Sequence, residues 1–280
     1  MSILKWAAAV AGAGLATLAY GAWTSDRARR DRRTIHLPGW PDRHSGYRIG
    51  FLSDLHIRND GETVRMARAE LAWMVAGQPD ILILGGDIVS YWGPRTWPLL
   101  EEAFAPLAGS PLNGLAVLGN HDYYGGDPTP LGGFLQERGI RLLRNESVVM
   151  DDICWLGIDS ACDGHARPYD TLFAADIRTP TVCLWHESDF ADALPHGLDL
   201  VLCGHSHGGQ FCTPWGRPFM TADFGGRRLA GLYTDTPSPT YVSRGLATTG
   251  PPSRWNCPPE SAILTIRPSR AGQPWLSEGG

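Results

Sequence analysis

Five apolar runs in this chain each stop at a cluster of Asp, Asn or His, and that recurrence constrains the fold more than any other feature of the sequence. "YRIGFL" runs into "SDLH", "DILIL" into "GGD", "GLAVL" into "GNHD", "TVCL" into "WHESD", and "LDLVLC" into "GHSH". Apolar runs this short, bounded by turn residues, have the length of buried strands. In open α/β sheets, sites assemble beyond the carboxyl ends of the strands. Five such ends therefore predict one site fed by several strands. Between the early runs lie helical patterns: Val64, Ala67, Leu71 and Val75 before Pro79, then "RTWPLLEEAFAPLAG" and "PLGGFLQERG". Later come "SVVM", "ICWLGIDS", "TYVSRGLATT" and "SAILTIRP", all strand-like. Strands alternating with helices early and strands predominating late predict an α/β sandwich of two mixed β-sheets flanked by helices.

At 280 residues, 43% of them hydrophobic, the chain is long enough for a sizeable core. Its net charge of −5 is unevenly spread. Residues 1–33 hold six basic and two acidic residues, so the remainder, with 18 basic and 27 acidic residues, stands at −9. An acidic body argues against a nucleic-acid partner and suits a site whose carboxylates hold cations. Lysine occurs once, at Lys5, so any cation that grips a phosphate must be Arg. The six cysteines show no CxxC pair and several sit in apolar runs, which reads as free, buried thiols in a reducing compartment.

The amino-terminal residues raise a membrane question. From Ile3 to Trp23 the only charge is Lys5, a length that can span a bilayer as a helix. A cleaved signal peptide competes with that reading, because Ala19-Tyr20-Gly21 has the small-x-small form of a cleavage site. The arginines of "RARRDRR" follow the apolar run rather than precede it, which favours an uncleaved anchor with the following domain on the cytoplasmic face. The same arginines would attract anionic headgroups; the alternative is a basic linker with no lipid role. The division expected is thus 1–33 for the anchor (or signal) with its basic flank, and 34–280 for the functional domain.

The polar ends supply what a two-metal hydrolytic centre needs. Asp54 and His56 stand two apart beyond a strand, Asp87 follows a Gly-Gly pair, Asn120 offers an amide oxygen, and His186, His205 and His207 offer imidazoles. That mixture of oxygen and nitrogen suits Mn, Fe or Zn better than Ca. The series Asp54-x-His56, Gly86-Asp87, Gly119-Asn120-His121-Asp122, His186 and Gly204-His205-Ser206-His207 resembles the calcineurin-like metallophosphoesterases in order and spacing, over roughly residues 47–267.

The resemblance implies two divalent ions, Mn favoured. One would be held by Asp54, His56, Asp87 and His207, the other by Asp87, Asn120, His186 and His205, with Asp87 shared. It further implies attack on phosphorus by a metal-bridging hydroxide, with His121 donating to the phosphate or the leaving oxygen and Asp122 orienting it. Arg58 could add a fork to a substrate phosphate, or simply form a solvated salt bridge. His36, His44, His165 and His196 lie outside the motifs and read as ordinary surface or loop residues.

The substrate class implied is a phosphorylated or pyrophosphate-containing compound. The extended "GHSHGGQ" form resembles a membrane-associated branch of the family, some of whose members cleave UDP-2,3-diacylglucosamine in lipid A synthesis. Tyr91, Trp92 and Trp97 would lie near the site, either meeting acyl chains or packing under the next helix. A soluble phosphodiester or phosphomonoester is the alternative substrate. A non-catalytic metal-binding scaffold is the alternative from another class.

Overall fold

The structure, a computed structural model, describes residues 12, 16, 19–177 and 180–278. Alternation of side chains along the strands builds it. In β3 (Ile81–Leu84), Ile81 and Ile83 face one way and Leu82 and Leu84 the other, and all four are buried. Such a strand is apolar on both faces and must be covered on both.

Two sheets meet this demand. The first has seven strands in the order β13 (Leu276–Glu278), β1 (Arg29–Leu37), β12 (Glu260–Pro268), β2 (Tyr47–Leu52), β3, β4 (Gly114–Ala116), β5 (Ile140–Leu142). The second has six, in the order β10 (Gly231–Tyr233), β11 (Thr240–Val242), β9 (Leu200–Gly204), β8 (Thr181–Glu187), β7 (Ile153–Gly157), β6 (Glu146–Met150). β2 to β5 run parallel, as do β11, β9, β8 and β7, and the outer pairs are mixed. Ile49, Phe51, Ile81, Ile83 and Leu115 of the first sheet pack against Trp155, Val182, Leu184, Leu200 and Leu202 of the second. This is the α/β architecture expected, two mixed sheets face to face.

Helices cover the outer face of the first sheet: α1 (Glu62–Gly77), α2 (Thr96–Phe104) and α3 (Thr129–Gln136). The short α4 (Pro168–Ala174) lies on the second sheet's side. In α1 the buried stripe is Val64, Ala67, Leu71 and Met74, and Val75 is only half-buried, because a 3.6-residue period returns to the core at 74. The helix ends with Gln78 in the left-handed region just before Pro79.

Two expectations need correction. Residues 29–33 are part of β1, between β12 and β13, and so belong to the folded body rather than to a flank. Their charges are consumed locally: Asp31 takes Arg29 and Arg33, Glu70 takes Arg30, and Arg30 and Arg32 lie over the Trp73 ring. His36, on the same strand, is buried rather than on the surface. Of the apolar segment 3–23, only residues 12, 16 and 19–23 are among those described; the rest lies outside them. Residues 19–25 are helical, and no helix among the described residues is long and apolar enough to cross a membrane. All six cysteines are free thiols.

Candidate metal centre

The carboxyl ends of β2, β3 and β4 in one sheet and of β8 and β9 in the other open toward a common point. Asp54 and His56 follow β2, Asp87 follows β3, Asn120 and His121 follow β4, His186 lies in β8, and His205 and His207 follow β9. Backbone bonds lock these turns together. The Asp54 and His56 amides donate to the carbonyls of Gly86 and Asp87 at 3.0 and 2.9 Å. The His205 amide donates to the Asp54 carboxylate across the sheets, at 3.1 and 3.2 Å to its two oxygens.

Five of these residues hold a left-handed backbone: Asp54 at φ 56°, His56 at 42°, Asp87 at 52°, His205 at 68° and His207 at 49°. Each such residue costs roughly 1–2 kcal/mol when it is not glycine. Strain of this kind persists where the surroundings over-determine it, commonly at functional sites.

The ligand-type atoms fall into three overlapping groups, each with its atoms within 4.8 Å of one another. They are Asp54, His56 and His207; His56, Asp87 and His121; and Asp87, His186 and His205. Asp87 is common to two of them. Its Oδ2 lies 3.4 Å from His56 Nε2 and 3.3 Å from His186 Nε2, between an imidazole of each sheet. On the other side, His207 Nε2 is 3.1 Å from His56 Nε2 and 3.5 Å from Asp54 Oδ1.

Backbone carbonyls set the presentation of the rings. His186 Nδ1 donates to Gly85 O at 2.7 Å, His207 Nδ1 to Ala247 O at 3.2 Å, and His205 Nε2 to Asp223 O at 2.6 Å. Each ring so held keeps its second nitrogen for the cluster, the arrangement by which metal-binding histidines are oriented. Among the buried side-chain atoms of the described residues that have no hydrogen-bond partner are His186 Nε2 and Asn120 Oδ1, although Asn120 Nδ2 donates to Tyr124 at 2.9 Å. A buried polar atom left unpaired costs about 1–3 kcal/mol, and both atoms belong to the donor set a cation would satisfy. The space is equally specific. A Cβ on Gly119 would come within 2.2 Å of Asp87 Oδ1 and 2.7 Å of His186 Nε2. These residues fit two divalent ions held by carboxylate, amide and imidazole.

Charge follows burial. Desolvation holds the His56 imidazole well below its ordinary value and brings His207 down to about 4, so both are neutral donors. Burial acts to lower His186, but the carboxylates of Asp87, Asp54 and Glu187 together outweigh it and raise that imidazole well above its ordinary value. Burial, then the charge of Asp87, pushes the Asp122 carboxyl up to about 7.

Three expectations about neighbouring residues change. Asp122 does not orient the His121 ring: its oxygens accept the amides of Val89 and Gly119, both at 2.9 Å. His121 Nδ1 instead meets the Ser90 carbonyl at 3.0 Å, and its amide donates to Asp87 Oδ1 at 2.8 Å. Asp122 thus braces the turn that carries both Asn120 and His121. Arg58, considered for a substrate phosphate, is committed to Asp60 at 2.5 Å and to the Thr248 carbonyl at 2.6 Å, because a carboxylate two residues away captures its fork first. Trp92 is buried and packs on Trp97 with ring centroids 5.1 Å apart, so the core-packing alternative holds for Trp92; Trp97 packs on Phe134 but remains 38% exposed. Tyr91 is exposed.

A family model described as Calcineurin-like phosphoesterase matches residues 47–209, which includes every one of these donors. The chain belongs to that family. It is a metallophosphoesterase, a metal-dependent hydrolase of phosphoester bonds, and a dinuclear metal site is expected of the family. Among curated relatives, an "Uncharacterized metallophosphoesterase" of Aquifex aeolicus is 34% identical over 77% of this chain and 83% of its own length. The "Phosphodiesterase YaeI" of Escherichia coli is 28% identical over 82% of this chain and 89% of its own. A "Transmembrane protein with metallophosphoesterase domain" of Bos taurus is 28% identical over 84% of this chain and 56% of its own.

Sequence reasoning missed the carbonyl partners and the buried Arg254. That guanidinium donates to the carbonyls of His207, Gly245 and Ala247 at 3.1, 3.2 and 2.5 Å and so braces the His207 loop. "PPSRWNC" carries no signal for this role, because the arginine works through backbone atoms that any residue provides.

Proposed function

We propose that this metallophosphoesterase hydrolyses a phosphoester or pyrophosphate bond of a lipid-linked substrate, with Asp54, His56, Asp87 and His207 around one divalent ion and Asp87, Asn120, His186 and His205 around the other. Manganese is the preferred pair. The observation that carries the two-ion reading is the position of Asp87 Oδ2, within 3.4 Å of an imidazole from each sheet. Bound ions supply Lewis-acid charge and lower the pKa of coordinated water. The chain's own part is to hold those donors rigidly, and to keep His121 beside the cluster for proton donation to the leaving oxygen. With Nδ1–H fixed on Ser90 O, His121 has Nε2 left for that task, which it performs in the doubly protonated imidazolium form.

The lipid-linked reading is supported by the apolar residues 3–23, which fit an anchor with the domain on the cytoplasmic side, and by the printed name of the Bos taurus relative. UDP-2,3-diacylglucosamine is the specific substrate proposed. Water adds to one phosphorus, the bridging P–O bond breaks, and UMP and a lipid monophosphate leave. The Escherichia coli relative's printed name favours a second reading, a phosphodiesterase, which we pair with the soluble ester that the sequence left as the alternative substrate.

Purified full-length protein with Mn²⁺ is assayed for UMP release from UDP-2,3-diacylglucosamine and for hydrolysis of a soluble aryl phosphodiester, with Asp87→Asn as the blank. Release absent from the variant supports the lipid-linked reading. Hydrolysis of the soluble ester alone rejects that substrate and retains the site. Inactivity on both, with metal bound, rejects both substrates.

A further inference from the structure

The surface beside the metal cluster carries an apolar projection that the hydrolytic chemistry does not use. Cys212 pairs with Pro218 and Thr213 exchanges bonds with Arg217, which makes residues 213–217 a tight hairpin tip with Trp215 at its end. Trp215 is 85% exposed, and the chain just beyond it leaves Phe219, Met220 and Phe224 at 67, 69 and 53%. Four exposed large apolar side chains within ten residues of sequence are the kind of surface that serves as an interaction site. The projection is coupled to the site: Asp223 O accepts from the His205 ring at 2.6 Å. A cleft of about 320 Å³ opens between Phe211, Met220 and Ala222 on this side and Thr249 and Pro251 on the other, and reaches His207.

The same face receives the amino-terminal helix. The Trp255 amide donates to Gln210 O, and that of Cys212 to Trp255 O, which ties residues 253–256 to the base of the hairpin. Onto this stretch the helical residues 19–25 dock, through the Arg254 amide to Gly21 O and Tyr20 Oη to Asn256 Oδ1 at 3.2 Å. Tyr20 and Trp23 are exposed, with the Arg27 guanidinium 4.5 Å from the Trp23 ring centroid. In sequence, the eighteen residues that lead into this helix carry one charged side chain, Lys5. Apolar chain therefore joins the body on the face that bears the hairpin, and exposed Arg27 and Arg217 lie on the segments involved.

We propose that the 213–224 segment is a bilayer-contact surface, which dips Trp215, Phe219 and Met220 into the headgroup–acyl boundary and holds the mouth of the metal site against anionic lipid. Tyrosine and tryptophan favour that boundary, and arginine beside them pairs with lipid phosphate. Such a surface serves the lipid-linked substrate proposed above and rests on that reading; bilayer contact itself is measured with no substrate present.

The test places an environment-sensitive dye on Phe219→Cys in full-length protein carrying Cys162→Ser, reconstituted into phosphatidylcholine–phosphatidylglycerol vesicles with or without brominated acyl chains. The control position is Val149→Cys. Val149 is half-exposed on β6 and paired with Cys154 at the amino end of β7, so it lies at the end of the sheet away from the cluster. Thermal melts that match the unlabelled protein certify both samples. A blue shift and about twofold bromine quenching at 219, with neither at 149, is the expected result for a side chain buried some 5–10 Å into the boundary. No quenching at 219, or equal quenching at both positions, overturns the proposal. A blue shift at 219 that is the same without lipid assigns the surface to a second copy of the chain and also overturns it. UMP release, measured separately, reports on the substrate alone.

Discussion

Asp87 is the residue on which the centre turns, since one of its oxygens lies between imidazoles of both sheets. In Asp87→Asn, metal content measured after dialysis should fall from about two ions per chain to one or none, with hydrolysis lost in parallel. His121→Ala should separate the two properties: both ions are retained, while kcat falls by about 10²–10⁴. Gly119→Ala should lose metal although it alters no ligand, because the added methyl would stand 2.2 Å from Asp87 Oδ1. The donor residues were legible in the sequence, because metal ligation demands particular side chains at strand ends. The groups that aim them were not. Gly85 O, Ser90 O, Asp223 O and Ala247 O are backbone atoms, and a carbonyl has no residue identity for a sequence to display.

Among the elements, the apolar strands and α1 followed from their periodicity, and β1 did not. Its first five residues are four arginines and an aspartate, a pattern that contains no apolar alternation. What makes it a strand is tertiary: Asp31 is buried between Arg29 and Arg33, and Glu70 of α1 reaches across to Arg30 and to Ser261 of β12. Glu70→Ala should therefore destabilise by about 1–3 kcal/mol in urea titrations, through loosening of β1 rather than through the site. The hairpin around Trp215 escaped notice for the opposite reason. Single aromatic residues among Pro, Gly and Arg resemble any loop until the fold shows which of them stay exposed.

Taken whole, the molecule has its site at the seam between the sheets, with Asp54, His56, Asp87 and Asn120 from one side and His186, His205 and His207 from the other. Metal should then stabilise the entire body. At free metal about a hundredfold above Kd the gain is about 2.7 kcal/mol, which corresponds to a rise of roughly 5–10 °C in Tm over EDTA-treated protein for a domain of this size. The strand order also imposes a schedule. The second sheet, β6 to β11, is contiguous in sequence, whereas β1 lies between β12 and β13, the final two strands of the chain. On the ribosome, β1 emerges among the first segments and must wait, both edges open, until everything past residue 259 has been made. The first of the described strands to be synthesised is thus the last to be enclosed, and a nascent chain halted before β12 should remain open to protease at residues 29–37.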